Sequence, residues 1–187
     1  NTDPLYKGDG TVTWSSDVDM NGFLGVSPLN FTNSSSLQFD FISQKDFIKF
    51  DYIFASNEYG NNQCKPFSDV VLFILTDLTT NLPVNITTTL VTPTNIRKNQ
   101  FNNSCADENP NLFGTFIDDA NALSAAINFN GSTIPMVASA NIIQNHSYRL
   151  KIIIADRADV QYDAAVFIRN YIQTTGPENG ILGNDIV

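Results

Sequence analysis

The stretch FIKFDYIFASNEYGNNQCKPFSDVVLFIL, residues 47–75, holds two kinds of strand around one polar connection. In its first part Ile48, Phe50, Tyr52 and Phe54 alternate with Lys49 and Asp51. A period of two puts the apolar set on one face of a half-buried strand. Its last part, Val70 to Leu75, has no polar face, which predicts a central strand covered on both sides. The residues between are Asn, Gly, Gln, Pro and Ser, the chemistry of turns.

The same alternation recurs outward along the chain. LQFDF places Leu37, Phe39 and Phe41 opposite Gln38 and Asp40. VNITTTLV reads Val84, Ile86, Thr88, Leu90, and YRLKIII reads Tyr148, Leu150, Ile152, Ile154 with Arg149 and Lys151 outward. AAVFIRNYI is a further strand. Helical periodicity is weak, and Asp118 to Ala126 is its best segment. Many short strands without alternating helices predict an all-β chain, an antiparallel β-sandwich of jelly-roll kind with at most one or two short helices. Residues 1–173 read as a single domain. Residues 174–187, punctuated by Gly176, Pro177, Gly180 and Gly183, read as a linker or tail.

The chain has 187 residues, 16% charged and 42% hydrophobic, which suits one folded domain. A net charge of -9 argues against nucleic acid and anionic membranes and favours divalent cations as partners. No apolar run approaches the ~20 residues that span a bilayer. The chain begins with Asn1, which reads as a processed or excised piece of something larger.

Cys64 and Cys105 lie in polar segments, NNQCKP and NNSCAD, unlike buried thiols among apolar neighbours. They point to one disulfide in an oxidising compartment, with two unrelated thiols as the alternative. Zinc is disfavoured, because His146 is the only histidine. His146 sits in QNHSY and reads as a solvent-facing turn residue. Six Asn-X-Ser/Thr sequons arise in a chain with 23 Asn.

Three blocks together carry a resemblance. They are LQFDFISQKDFIKFDYIFASNEYG, FSDVVLFIL and YRLKIIIADRADVQYDAAVFI. They resemble the choice-of-anchor L domain, a module of bacterial surface and secreted proteins. Phe54–Tyr59 matches the family's FASEEY turn, with Asn57 in place of the first Glu. Ser68-Asp69-Val70 matches NDV. Asp156, Asp159, Tyr162-Asp163 and Phe167 match an IADxxDxxYDSAVF hairpin, with Ala164 in place of Ser. The family's YDG turn appears as Phe129-Asn130-Gly131. The resemblance implies an extracytoplasmic β module in a multidomain polypeptide and defines no biochemical activity.

The carboxylates raise the chemical question. Asp156, Asp159 and Asp163 lie in one connection between strands, while Glu58 and Asp69 flank another. Loops at one end of a sandwich cluster. If both connections emerge there, the carboxylates converge, and a divalent cation would relieve their repulsion. Ca²⁺ is therefore the expected cofactor, with Glu58, Asp69, Asp156, Asp159 and Asp163 as candidate ligands. Asp163 and Asp69 lead that set, followed by Glu58. Capping of turns and pairing of Asp156 with Arg157 or Arg149 remain open. Tyr59, Asn61, Asn62 and Gln63 read as an exposed aromatic and amide surface for a sugar or peptide. The expected function is a noncatalytic extracellular adhesion or ligand-binding module of a large bacterial cell-surface protein, stabilised by Ca²⁺. Its partners would be a glycan or protein ligand and neighbouring domains of its own polypeptide. A structural spacer ranks next. A glycan-active hydrolase using paired carboxylates ranks third, since no nucleophile motif, His–Cys pairing or phosphate loop accompanies them.

Overall fold

The computed structural model describes residues 13–24, 31–87, 90–99, 105–169, 171–172 and 181–182. A short helix α1 (Val18–Leu24) precedes β1 (Phe31–Ile42), β2 (Phe47–Ser56), β3 (Val70–Asp77) and β4 (Leu82–Asn85). Then come β5 (Phe113–Phe116), β6 (Gly131–Thr133), β7 (Met136–Asn141), β8 (Ser147–Arg157) and β9 (Ala164–Ile168). The short strands β10 (Tyr171–Ile172) and β11 (Ile181–Leu182) pair with each other.

Two antiparallel sheets form the sandwich. One has the order β1-β8-β3-β4; the other runs β5-β6-β2-β7, with β9 on the far side of β2. The alternating face of β2 is the inner face: Ile48, Phe50, Tyr52 and Phe54 are all buried. Across the interface Phe73 sets its ring edge against Phe50 at 5.1 Å and Tyr52 at 4.7 Å. Such edge-to-face pairs hold the two sheets together beyond the area they bury.

The apolar run of β3 is covered twice, as its pattern requires. Val71, Phe73 and Leu75 join the core between the sheets. Val70, Leu72 and Ile74 join a second cluster with Met20, Ile153 and Ala155. The cover is α1, which the sequence reading did not anticipate: its Met20 is fully buried against β3 and β8. Lys151 pins the approach to this helix, with Nζ 2.7 Å from both Asp17 Oδ1 and Asp19 Oδ2.

Several local expectations change. Asp118 to Ala126 is a turn followed by the 3₁₀ segment Ala122–Ser124. Asp118 Oδ1 accepts the Ala120 and Asn121 N–H groups, and this competes with a helix. The strand expected over residues 84–91 ends at Asn85, whose Oδ1 accepts the Thr87 N–H. Thr88 lies outside the described residues. Leu37 remains 45% exposed, because β1 is an edge strand. His146 is not merely solvent-facing: Nδ1 lies 2.9 Å from Asp77 Oδ2, and the ring stacks on Tyr148.

Candidate functional site

The register places the acidic connections together. Ser56, at the end of β2, faces Ala164 at the start of β9. Val70, at the start of β3, faces Ala155 near the end of β8. The β2–β3 and β8–β9 connections therefore both cross between the sheets at one end of the sandwich. They bond to each other twice: Asn57 N–H donates to Asp163 O at 3.0 Å, and Ser68 N–H donates to Arg157 O at 3.2 Å.

Glu58 and Asp69 meet inside this end, 1% and 0% exposed. Asp69 N–H donates to Glu58 Oε2 at 2.6 Å. The Ser56 hydroxyl donates to Asp69 Oδ2 at 2.7 Å and accepts the Glu58 N–H at 3.0 Å. Ser56 is thus the hinge of the pair, although sequence reading saw it only as part of a turn motif. The other oxygens, Glu58 Oε1 and Asp69 Oδ1, are buried without a hydrogen-bond partner, as is Asp159 Oδ1. Buried acceptors of this kind are rare and costly.

Burial above all, with the charges of Asp159 and Asp156, raises the Glu58 carboxyl to about 8 against the opposing Asp69 N–H. Burial and the Glu58 charge hold Asp69 well above its ordinary range. Asp156 rises to about 6, by burial and then by Asp159 and Asp163, while Asn33 Nδ2 donates to its Oδ2 and opposes the rise. Asp156 pairs with Asn33, not with Arg157 or Arg149; Arg149 instead forks onto Asp40 at 2.7 and 2.9 Å. Burial raises Asp159, and Lys65 opposes it.

All five carboxylates thus share one electrostatic neighbourhood, which Asp163 joins through Asp156. Asp163 differs in burial: it is exposed, and its carbonyl accepts the Asn57 N–H just past β2. Among the described residues no three His, Cys, Asp or Glu side chains already stand as a group able to hold a metal ion. The donors are nevertheless all oxygen, the set that hard cations take.

Two departures from the family motif prove to be partners. Asn130 donates its N–H to Asn57 Oδ1 at 3.1 Å and its Nδ2 to Asn57 O at 2.6 Å. Where the motif has two acids, this chain has a complementary amide pair. Gly131 follows because a Cβ there would lie 2.8 Å from the Tyr59 ring.

The surface expected from Tyr59, Asn61, Asn62 and Gln63 is also corrected. Tyr59 and Gln63 are 1% exposed. Tyr59 packs edge-on against Phe113 at 5.3 Å, and Gln63 Nε2 donates to Lys98 O. Asn61 is exposed and Asn62 half-buried; both line an open cleft of about 550 Å³ with Tyr59 at its wall. The Cys64–Cys105 disulfide forms and anchors this connection to a distant loop.

The family model for the Choice-of-anchor L domain matches residues 1–171 of the chain. No curated protein and no solved structure matches it. Among the described residues no helix is long and apolar enough to cross a membrane.

Proposed function

The chain belongs to the choice-of-anchor L family of surface-associated bacterial modules, and from that premise we propose that it is a noncatalytic extracellular adhesion or ligand-binding module stabilised by Ca²⁺. The observation that carries this reading is the set of orphaned buried oxygens, Glu58 Oε1, Asp69 Oδ1 and Asp159 Oδ1. Three carboxylates in one low-dielectric region repel strongly, and a divalent cation offsets both the repulsion and the missing hydrogen bonds. Glu58 and Asp69 would hold the ion, with Asp159 drawn in from the neighbouring connection and Asp156 close by. Carbonyl oxygens and water complete such spheres, which take six to eight oxygens. The bound ion would tie the β2–β3 and β8–β9 connections together and fix the end of the sandwich.

A hydrolytic role has less support. A glycosidase pair flanks a bond that substrate brings to it. Glu58 and Asp69 are sealed from solvent, and the Glu58 carboxylate is bonded to the Asp69 backbone N–H, so a substrate has no path to them.

Thermal melts in Ca²⁺ and in EDTA test the reading. An ion at 100 times its dissociation constant adds about 2.7 kcal/mol, which in a domain of this size raises Tm by roughly 5–10 °C. The rise should vanish in a Glu58→Gln, Asp69→Asn variant. Equal melts of the unaltered protein in Ca²⁺ and EDTA would overturn the proposal.

A further inference from the structure

The cleft beside the acidic core has walls from three connections. Asn61 and Asn62 come from β2–β3, Phe116 to Ala120 from the segment leaving β5, and Tyr162 from β8–β9. We propose that this cleft binds a neutral saccharide. The proposal gives a ligand class to the ligand-binding reading above and rests on that reading, though not on the cation.

The volume of about 550 Å³ lies within the ~300–1,000 Å³ usual for small-ligand sites. The lining chemistry narrows the ligand. Phe116 and Tyr162 supply aromatic rings, and a pyranose presents an apolar C–H face that packs on such rings. Asn61 and Asn62 carry amides that no group among the described residues engages, and each amide both donates and accepts. Asp118 and Asp119 are exposed acceptors for hydroxyl groups. Among the described residues no lysine or arginine lines the cleft, and the chain carries a net charge of -9, so phosphorylated, sulfated or sialylated ligands are disfavoured. Peptides are usually taken along an open strand edge or a helix groove, whereas these walls are loops.

Backbone conformation adds an independent sign. Tyr162 has φ 71°, a left-handed conformation that costs a bulky residue free energy and marks functional positions when the surroundings maintain it. Opposite, Gly60 has φ 88°, and a Cβ there would stand 2.9 Å from Phe116 Cε2. Glycine at this turn leaves the Phe116 ring in its place at the cleft wall. Both features occur at residues that line the cleft.

Amide chemical shifts of the ¹⁵N-labelled protein, followed during titration with maltotriose, cellotriose, chitotriose and mannotriose, test the proposal. 3′-Sialyllactose and a neutral Gly-Ser peptide serve as comparisons. At least one neutral trisaccharide should shift the Asn61, Asn62, Asp118 and Tyr162 amides at millimolar concentration. Asn61→Ala with Asn62→Ala, and separately Tyr162→Ala, should weaken that binding tenfold or more while leaving shifts remote from the cleft unchanged. Binding of only the sialylated sugar or the peptide would overturn the saccharide assignment and keep the ligand-binding reading. Absence of shifts with every probe, in Ca²⁺ and in EDTA alike, would overturn the assignment outright. Adherence of the same protein to whole cells would then judge the module reading separately.

Discussion

Glu58 concentrates the chemistry of this end of the sandwich into one side chain. An unfolded glutamate releases its proton near 4.5, whereas burial holds the folded one to about 8. Between those values the folded state binds more protons than the unfolded state, so stability falls as pH rises. The loss is on the order of 1 kcal/mol for each pH unit in that window. Asp69 shifts in the same direction. Asp40 and Asp77, held below their ordinary range by Arg149 and His146 respectively, lose their contribution only under more acid conditions. In EDTA, Tm should therefore fall from pH 5 to pH 8, and Glu58→Gln should flatten that fall. Parallel profiles for the two proteins would mean that Glu58 does not titrate there. At this scale the sequence showed which acids were present and which motifs held them. It did not show which one faced inward: Asp163 looked as strong as Asp69, yet only register and pleat decide that its carbonyl, not its carboxylate, meets β2. Ser56 and Asn33 were invisible as partners because their bonds span chain separations of 13 and 123 residues.

At the scale of elements, strands were legible wherever burial was one-sided or complete. β2 and β8 showed clean alternation, and β3 announced a cover on both faces. What covered β3 was not legible, because α1 has seven residues and too little periodicity to stand out. The same limit applied to residues 118–126, where Asp118 turned a helical pattern into a capped turn. The cysteine pair was legible from its polar surroundings, and its consequence is mechanical. Cys64 and Cys105 are 41 residues apart, and a loop of that size removes unfolded-chain entropy worth about 4 kcal/mol. Urea titration of a Cys64→Ser, Cys105→Ser variant should recover a deficit of that order relative to the oxidised protein. A deficit below about 1 kcal/mol would mean that Gln63 and the neighbouring backbone bonds hold the connection without the bridge.

At the scale of the molecule, protection from exchange should be uneven. β3 and β8 lie between other strands and contribute to both apolar clusters, so their amides open only when the whole structure unfolds. β1 and β4 are the outer strands of that sheet and should exchange sooner. The acidic end differs from both. Its backbone is bonded across from Asn57 to Asp163 and from Ser68 to Arg157, but it surrounds carboxylates that repel one another. Without a cation, that repulsion favours local opening; with one, the same groups become the tie between the sheets. Hydrogen exchange should accordingly show the Val71–Ile74 and Ile152–Ile154 amides slowed in Ca²⁺ by the factor that global stability gains, about 100-fold when the ion stands at 100 times its dissociation constant. The Asn57, Ser68 and Asp69 amides should slow by tenfold or more in Ca²⁺. No slowing at the β3 and β8 amides would contradict the stabilisation proposed for the ion, and slowing there with none at Asn57, Ser68 and Asp69 would detach the acidic end from it altogether.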